Sequence, residues 1–162
     1  AFRGNHDNPS WFESTHKPFN LSNITLLADY SELNLLDRRI LCVGGATSVD
    51  RKVNVENVTY WKDEVFKLNL ANIQGSYDIV ATHTRPRAAG PPKPFGNIQW
   101  LIDKDPDLIE ELNEESNLVE QLYEATKPAH WIYGHFHESM LYHNGTTAFR
   151  CLDINELYMI NE

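Results

Sequence analysis

The chain has 162 residues and a formal net charge of -9, with 41% hydrophobic, 11% aromatic and 23% charged residues. That length suits one domain with a real core and is short for two, so residues 1–162 are read as a single domain. No window approaches the roughly 18 consecutive apolar residues of a membrane-spanning helix, and the acidic balance disfavours general binding to a nucleic-acid backbone.

A phosphorylated ligand stays open, because bound divalent cations reverse the field around one site. The two cysteines, Cys42 and Cys151, sit in apolar runs and read as buried free thiols; no CxxC spacing points to zinc. Asn-X-Ser/Thr triplets begin at Asn20, Asn23, Asn57 and Asn144. Residues near position 1 lack the zones of a signal peptide, so these triplets read as chance and the expected location is cytoplasmic.

In chain order, residues 1–3 read as the tail of a strand that runs into Gly4-Asn5-His6-Asp7, an abrupt opening that suggests further residues upstream. Residues 8–20 read as loop. Residues 39–43 form a buried-strand candidate ending at Gly44-Gly45, followed by a polar loop. A short helix is expected over 61–70 and a strand over 77–82, which leads into His83. Residues 84–96 carry too many Pro and Gly for helix or central strand. The best helix covers 107–126, with Leu108, Ile109, Leu112, Val119, Leu122 and Tyr123 at helical spacing among glutamates. Lys127-Pro128 ends it.

A strand over 129–133 then reaches Gly134. Residues 138–142 and 147–152 read as a hairpin around Asn144-Gly145, and 157–160 as a last strand. The alternation gives an α/β layered domain. It places His6, His83 and His135 just past strand ends, where α/β sheets carry their sites.

Three segments can carry chemistry: Gly4-Asn5-His6-Asp7, Thr82-His83-Thr84 and Gly134-His135-Phe136-His137. On an extended backbone His135 and His137 point to one side and could aim both imidazoles at one point. Imidazole suits zinc, iron and manganese-like ions, and Gly134 would allow a sharp exit from the strand. Taken singly, each segment also has a plain reading: a surface His-X-His, a histidine bonded to backbone, a turn rich in Gly, Asn and Asp.

Taken together and in this order, the three segments resemble the calcineurin-like metallophosphoesterases. The segment from Gly44 to Arg51 and the run from Leu152 to Tyr158 resemble parts of that family too, so the likeness spans Gly4 to Tyr158. It implies a four-layer αββα sandwich, lacking its first strands here, and hydrolysis of phosphomonoesters or phosphodiesters at two divalent metals (Mn, Fe, Zn or similar). Asn5, His83 and His135 would bind one metal and His137 the other. His6 would assist the leaving group, with Asp7 hydrogen-bonded to it. The substrate would be a phosphorylated small molecule or a phosphoprotein.

The family's Asp-X-His block and its bridging Gly-Asp block do not occur ahead of Asn5. These residues alone would therefore hold at best one metal, and the chain by itself is expected to be inactive or nearly so. Exposed sheet edges would suit a homo-oligomer. The rival reading is a binding or scaffold module that keeps the fold with an incomplete metal centre. Arg85 reads as a clamp for substrate phosphate or as a solvated loop charge, with Arg87 and Lys93 nearby. Arg51 reads as reaching the substrate or as ion-paired with Asp50 or a glutamate. Tyr133 is expected in the core, and His16, His130 and His143 as structural or exposed. Glu110, Glu111, Glu114 and Glu115 are expected on the wet face of the long helix.

Overall fold

The computed structural model describes residues 1–13, 22–90 and 99–160. It is a mixed α/β structure built on a six-stranded sheet. The strands are β1 (Ser31–Leu35), β2 (Arg38–Val43), β3 (Ile79–Thr82), β4 (His130–Tyr133), β5 (Met140–His143) and β6 (Ala148–Cys151); the helices are α1 (Ser10–Glu13), α2 (Gln99–Lys104) and α3 (Leu108–Thr126). The order across the sheet is β1-β2-β3-β4-β6-β5. The four central strands run parallel, and β1 and β5 pair antiparallel at the two edges.

Register explains the core. Leu41, Val80, Trp131 and Phe149 stand side by side across the central strands, and each is 0% exposed. Val119, Leu122 and Tyr123 of α3 cover this row, with the Tyr123 ring 5.9 Å from Trp131 and 5.4 Å from Phe149. The buried indole N–H is satisfied by Thr82 Oγ1 at 2.8 Å. The opposite face alternates with this one and carries Ile40, Ala81, Ile132 and Ala148, half-buried, together with Cys42 and Ile79, which are buried. Cys42 and Cys151 are buried free thiols. Helix α3 stops where Lys127 takes a left-handed backbone and its N–H bonds Tyr123 O.

Several expectations are corrected. Strand β1 and helix α2 are not predicted from the sequence. Strand β1 turns into β2 through Leu36 and Asp37, at φ 50° and 61°. Hairpins favour two left-handed residues here, but usually announce them with Asn-Gly or Asp-Gly.

The helix expected over 61–70 is a single 3-10 turn at Lys62–Glu64, followed by extended chain. Its carbonyls are taken by tertiary partners: Glu64 O accepts from Ala46 N and Arg3 Nη1, and Val65 O from Arg3 Nη2. The expected strand over 157–160 is unpaired coil. Glu156 ties the chain to Arg150 and Ser139 instead, and Leu157 is 95% exposed. Ser10–Glu13 is helical within the segment expected as loop. His16, Asn20 and Lys93 lie outside the described residues.

Gly44 and Gly45 end β2 where Arg3 crosses. A methyl at Gly44 would fall 2.5 Å from both Arg3 Cγ and Arg3 O. Gly44→Ala should therefore lower stability by about 1–3 kcal/mol, read as a lower urea midpoint with an unchanged slope.

Candidate functional site

Strands β2, β3 and β4 are parallel, so their C-terminal ends share one edge of the sheet. Gly44, His83 and Gly134-His135 emerge there. The N-terminal segment joins them because Gly45 N donates to Arg3 O at 3.1 Å, which sets Gly4-Asn5 beside the same edge. An added Cβ at Gly4 would lie 3.0 Å from His83 Cε1, so the glycine makes room for that ring.

Three donors meet. Asn5 Oδ1 lies 2.7 Å from His83 Nε2 and 3.2 Å from His135 Nδ1, and the two imidazoles sit 5.1 Å apart edge to face. Burial pushes His83 down to about 4, eased by Asp7 and reinforced by His137, His6 and Arg3. Burial, then His83, His137 and His6, pushes His135 down to about 3. Both rings are therefore neutral at neutral pH, the form that ligates metal. Asn5, His83 and His135 could hold one cation. Among the described residues no group of three or more His, Cys, Asp or Glu could hold a metal ion, so no carboxylate-bearing second cage accompanies the triad. His137 is exposed and is close enough to act electrostatically on both buried histidines.

The backbone at His135 is not extended. Its φ is 68°, and Phe136 N bonds Gly134 O at 2.8 Å. This is a γ-turn of the rare positive-φ kind. His137 has φ 48°. The turned backbone, not strand alternation, aims His135 at Asn5. Gly134 itself has room for a side chain: an added Cβ would make only an ordinary contact with Leu152 O at 3.9 Å.

Asn5 is held from behind. Its Nδ2 donates to Ser48 Oγ at 3.0 Å, and Ser48 Oγ donates to Glu64 Oε1. Glu64 is 0% exposed, and its Oε2 accepts from His6 N and Trp61 N at 3.0 Å each. One buried carboxylate thus fixes the amide orientation of Asn5 and the backbone of His6. Sequence reasoning misses Glu64, because its segment reads as an amphipathic helix in which a glutamate is unremarked.

Asp7 does not bond His6. Its carboxylate accepts from Gly4 N at 2.7 Å. The exposed His6 ring has Nδ1 2.8 Å from Thr59 O and Nε2 3.5 Å from Asp50 Oδ1. Arg51 turns away from the triad: Asp105 and Glu111 take its guanidinium and hold it charged. Glu115 leaves the wet face expected of it, while Glu111 keeps a side chain 40% exposed. Glu115 is 7% exposed and accepts from Thr47 N at 2.5 Å, and burial raises its pKa. Tyr133 is in the core, His130 is half-buried and His143 exposed. Arg85 stands beside the triad, its guanidinium 5.4 Å from the centre of the Phe136 ring and one N–H on Gly90 O. A scan against protein-family models finds no match for the chain, and a search of the curated proteins finds none either.

Two substitutions test this architecture. Arg51→Met strands Asp105, which is 1% exposed and otherwise meets only Lys52 Nζ at 3.9 Å. It should cost about 3 kcal/mol or more of stability in urea titration, whereas an arginine reserved for substrate would leave stability untouched. Glu64→Gln should cost about 1–3 kcal/mol, since an amide cannot accept all three donors as a carboxylate does.

Proposed function

We propose that this chain carries part of a metal-dependent phosphoesterase site of the calcineurin-like type, acting on phosphomonoesters or phosphodiesters. The observation that supports the reading is the convergence of Asn5 Oδ1, His83 Nε2 and His135 Nδ1 from three separate segments. A neutral amide oxygen and two neutral imidazoles match a cation of the Mn, Fe or Zn class. Half-buried Ile40, Ala81, Ile132 and Ala148 on the second face of the sheet, beside the buried Cys42 and Ile79, are consistent with a partner layer of the kind a two-sheet αββα sandwich has.

Asn5, His83 and His135 fit one cation. A second does not fit on the described residues, which offer His137 alone. The dinuclear centre that the resemblance implies needs carboxylates besides these residues, and a scaffold module with an incomplete centre is the rival reading. When bound, divalent cations supply Lewis acidity and a hydroxide nucleophile at neutral pH.

The chain's own residues do the rest. Thr59 O fixes Nδ1 of His6, and Nε2, which faces Asp50 Oδ1 at 3.5 Å, is the nitrogen that would carry a proton to a departing ester oxygen. Ser48 and Glu64 keep the Asn5 oxygen, not its amide nitrogen, turned to the histidines. Arg85 offers its remaining N–H groups to phosphoryl oxygens.

The test is Mn²⁺ titration of the chain by calorimetry, with p-nitrophenyl phosphate and bis-p-nitrophenyl phosphate as substrates. About one Mn²⁺ per chain is expected, lost in His83→Ala and in His135→Ala, with little or no turnover. Uptake of no metal, or uptake unchanged by both substitutions, overturns the reading and leaves the scaffold module standing.

A further inference from the structure

A cavity of about 560 Å³ opens beside His135, a volume in the range of small-molecule sites and well beyond what a phosphate group fills. Its wall includes Val49, Leu112 and Phe136, and Arg85 and Arg87 stand in the same lining. Its composition is that of an amphipathic ligand site: an apolar wall, two cations and one end at the metal triad.

Arg85 gives the cavity its sign. The residue is half-buried, and its contacts are Gly90 O and the Phe136 ring. No carboxylate among the described residues lies within ion-pair distance of it, in contrast to Arg3, Arg39, Arg51 and Arg150, each of which has one. Glu138 acts on it electrostatically from beyond ion-pair distance. A partly buried cation with no carboxylate in direct contact is unfavourable in isolation and invites an anion from a ligand. Glu115 also lines the cavity. Its carboxylate is occupied by Thr47 N and by Thr84, so its acceptors are turned to those partners and it makes no ion pair with Arg85.

We infer that this cavity binds the organic part of an anionic ester with an apolar, ring-sized substituent, its phosphoryl group meeting Arg85 at the His135 end and its ring lying against Phe136, Leu112 and Val49. Arg85 then selects the anion and the apolar wall selects the substituent. As a statement about substrate this rests on the phosphoesterase reading. As a statement about binding it rests on the cavity and Arg85 alone.

The experiment separates the two. Phenylphosphonate and methylphosphonate, which cannot be hydrolysed at the P–C bond, are titrated calorimetrically into the chain freed of metal with EDTA. Phenylphosphonate should bind about tenfold or more tightly than methylphosphonate, as burial of the extra ring carbons implies. Leu112→Ser should shrink that ratio several-fold, and Arg85→Met should weaken both ligands about tenfold while preserving it. Thermal melts by circular dichroism establish that each variant is folded, and the wild-type ratio stands without them. Equal affinity for the two phosphonates, or no binding of either, overturns the inference. Loss of that preference with Mn²⁺ uptake intact refutes the cavity and spares the metal site. Ring-selective binding in a chain that takes up no Mn²⁺ does the reverse.

Discussion

The site depends on where Arg3 is buried. This side chain is 2% exposed, yet every arm of its guanidinium is satisfied: Nε and Nη2 meet the Asp29 carboxylate, Nη1 donates to Glu64 O at 2.6 Å, and Nη2 donates to Val65 O at 3.1 Å. Asp29 Oδ1 also accepts from Gly44 N at 3.0 Å. A buried ion pair contributes little net stability on average, but breaking one is costly. Its effect here is to specify position. It joins the N-terminal segment, the end of β2 and the Trp61–Val65 stretch, and no sheet ladder connects these three. Gly44 and Gly45 are glycines because the chain of Arg3 occupies the space a Cβ would need.

From that junction two lines of order reach the histidines. One runs along the backbone: Arg3 O holds Gly45 N, so Gly4 and Asn5 lie against the ends of β2 and β3. The other runs through side chains, from the Glu64 carboxylate through Ser48 to Asn5 Nδ2. The same residue, Glu64, offers its backbone carbonyl to Arg3 and its carboxylate to the site. The orientation of Asn5 is therefore coupled to the packing of a residue two positions before it, through a partner far along the chain. A carboxylate in this place orients Asn5 without joining the triad, which keeps the triad itself free of acidic side chains.

What could be read from the sequence follows from the range of the forces involved. Strands β3, β4, β5 and β6 and the helix α3 were legible because alternation, helical spacing and the Asn144-Gly145 turn are local signals. The gathering of Asn5, His83 and His135 at one edge followed from parallel strands ending in histidines. Strand β1 was hidden because its turn is Leu36-Asp37: both adopt left-handed φ, but Leu36 is no turn former and the pair lacks the Asn-Gly or Asp-Gly signal. The helix expected over 61–70 was lost to Arg3, a partner some sixty positions away (|i−j| of 61 to Glu64), which no window could contain. Of the two readings of Arg51, the ion pair with a glutamate is the one the structure shows, whereas Glu115 was misplaced for a related reason: a charged side chain on an exposed-looking face gives no sign of the buried partner it will meet. The roles of Glu64 and Ser48 lie wholly in that class.

Backbone strain adds a last constraint. His6, His135 and His137 have φ of 65°, 68° and 48°, a region that non-glycine residues visit at a cost on the order of 1 kcal/mol each. Such conformations persist only when their surroundings determine them. At His6 the backbone N–H is held by Glu64 and the ring by Thr59. At His135 the γ-turn bond from Phe136 N to Gly134 O closes the loop, and Gly134 N is anchored on His83 O at 3.1 Å. Of these three only His135 belongs to the triad, and its strained turn is what aims the ring at Asn5. Positive φ occurs as well at Tyr30, Leu36, Asp37, Asn57, Lys127 and Asn155, outside the triad. The strain therefore marks tight turns throughout the fold, and it is the bond from Gly134 N to His83 O that ties this particular turn to a second triad segment.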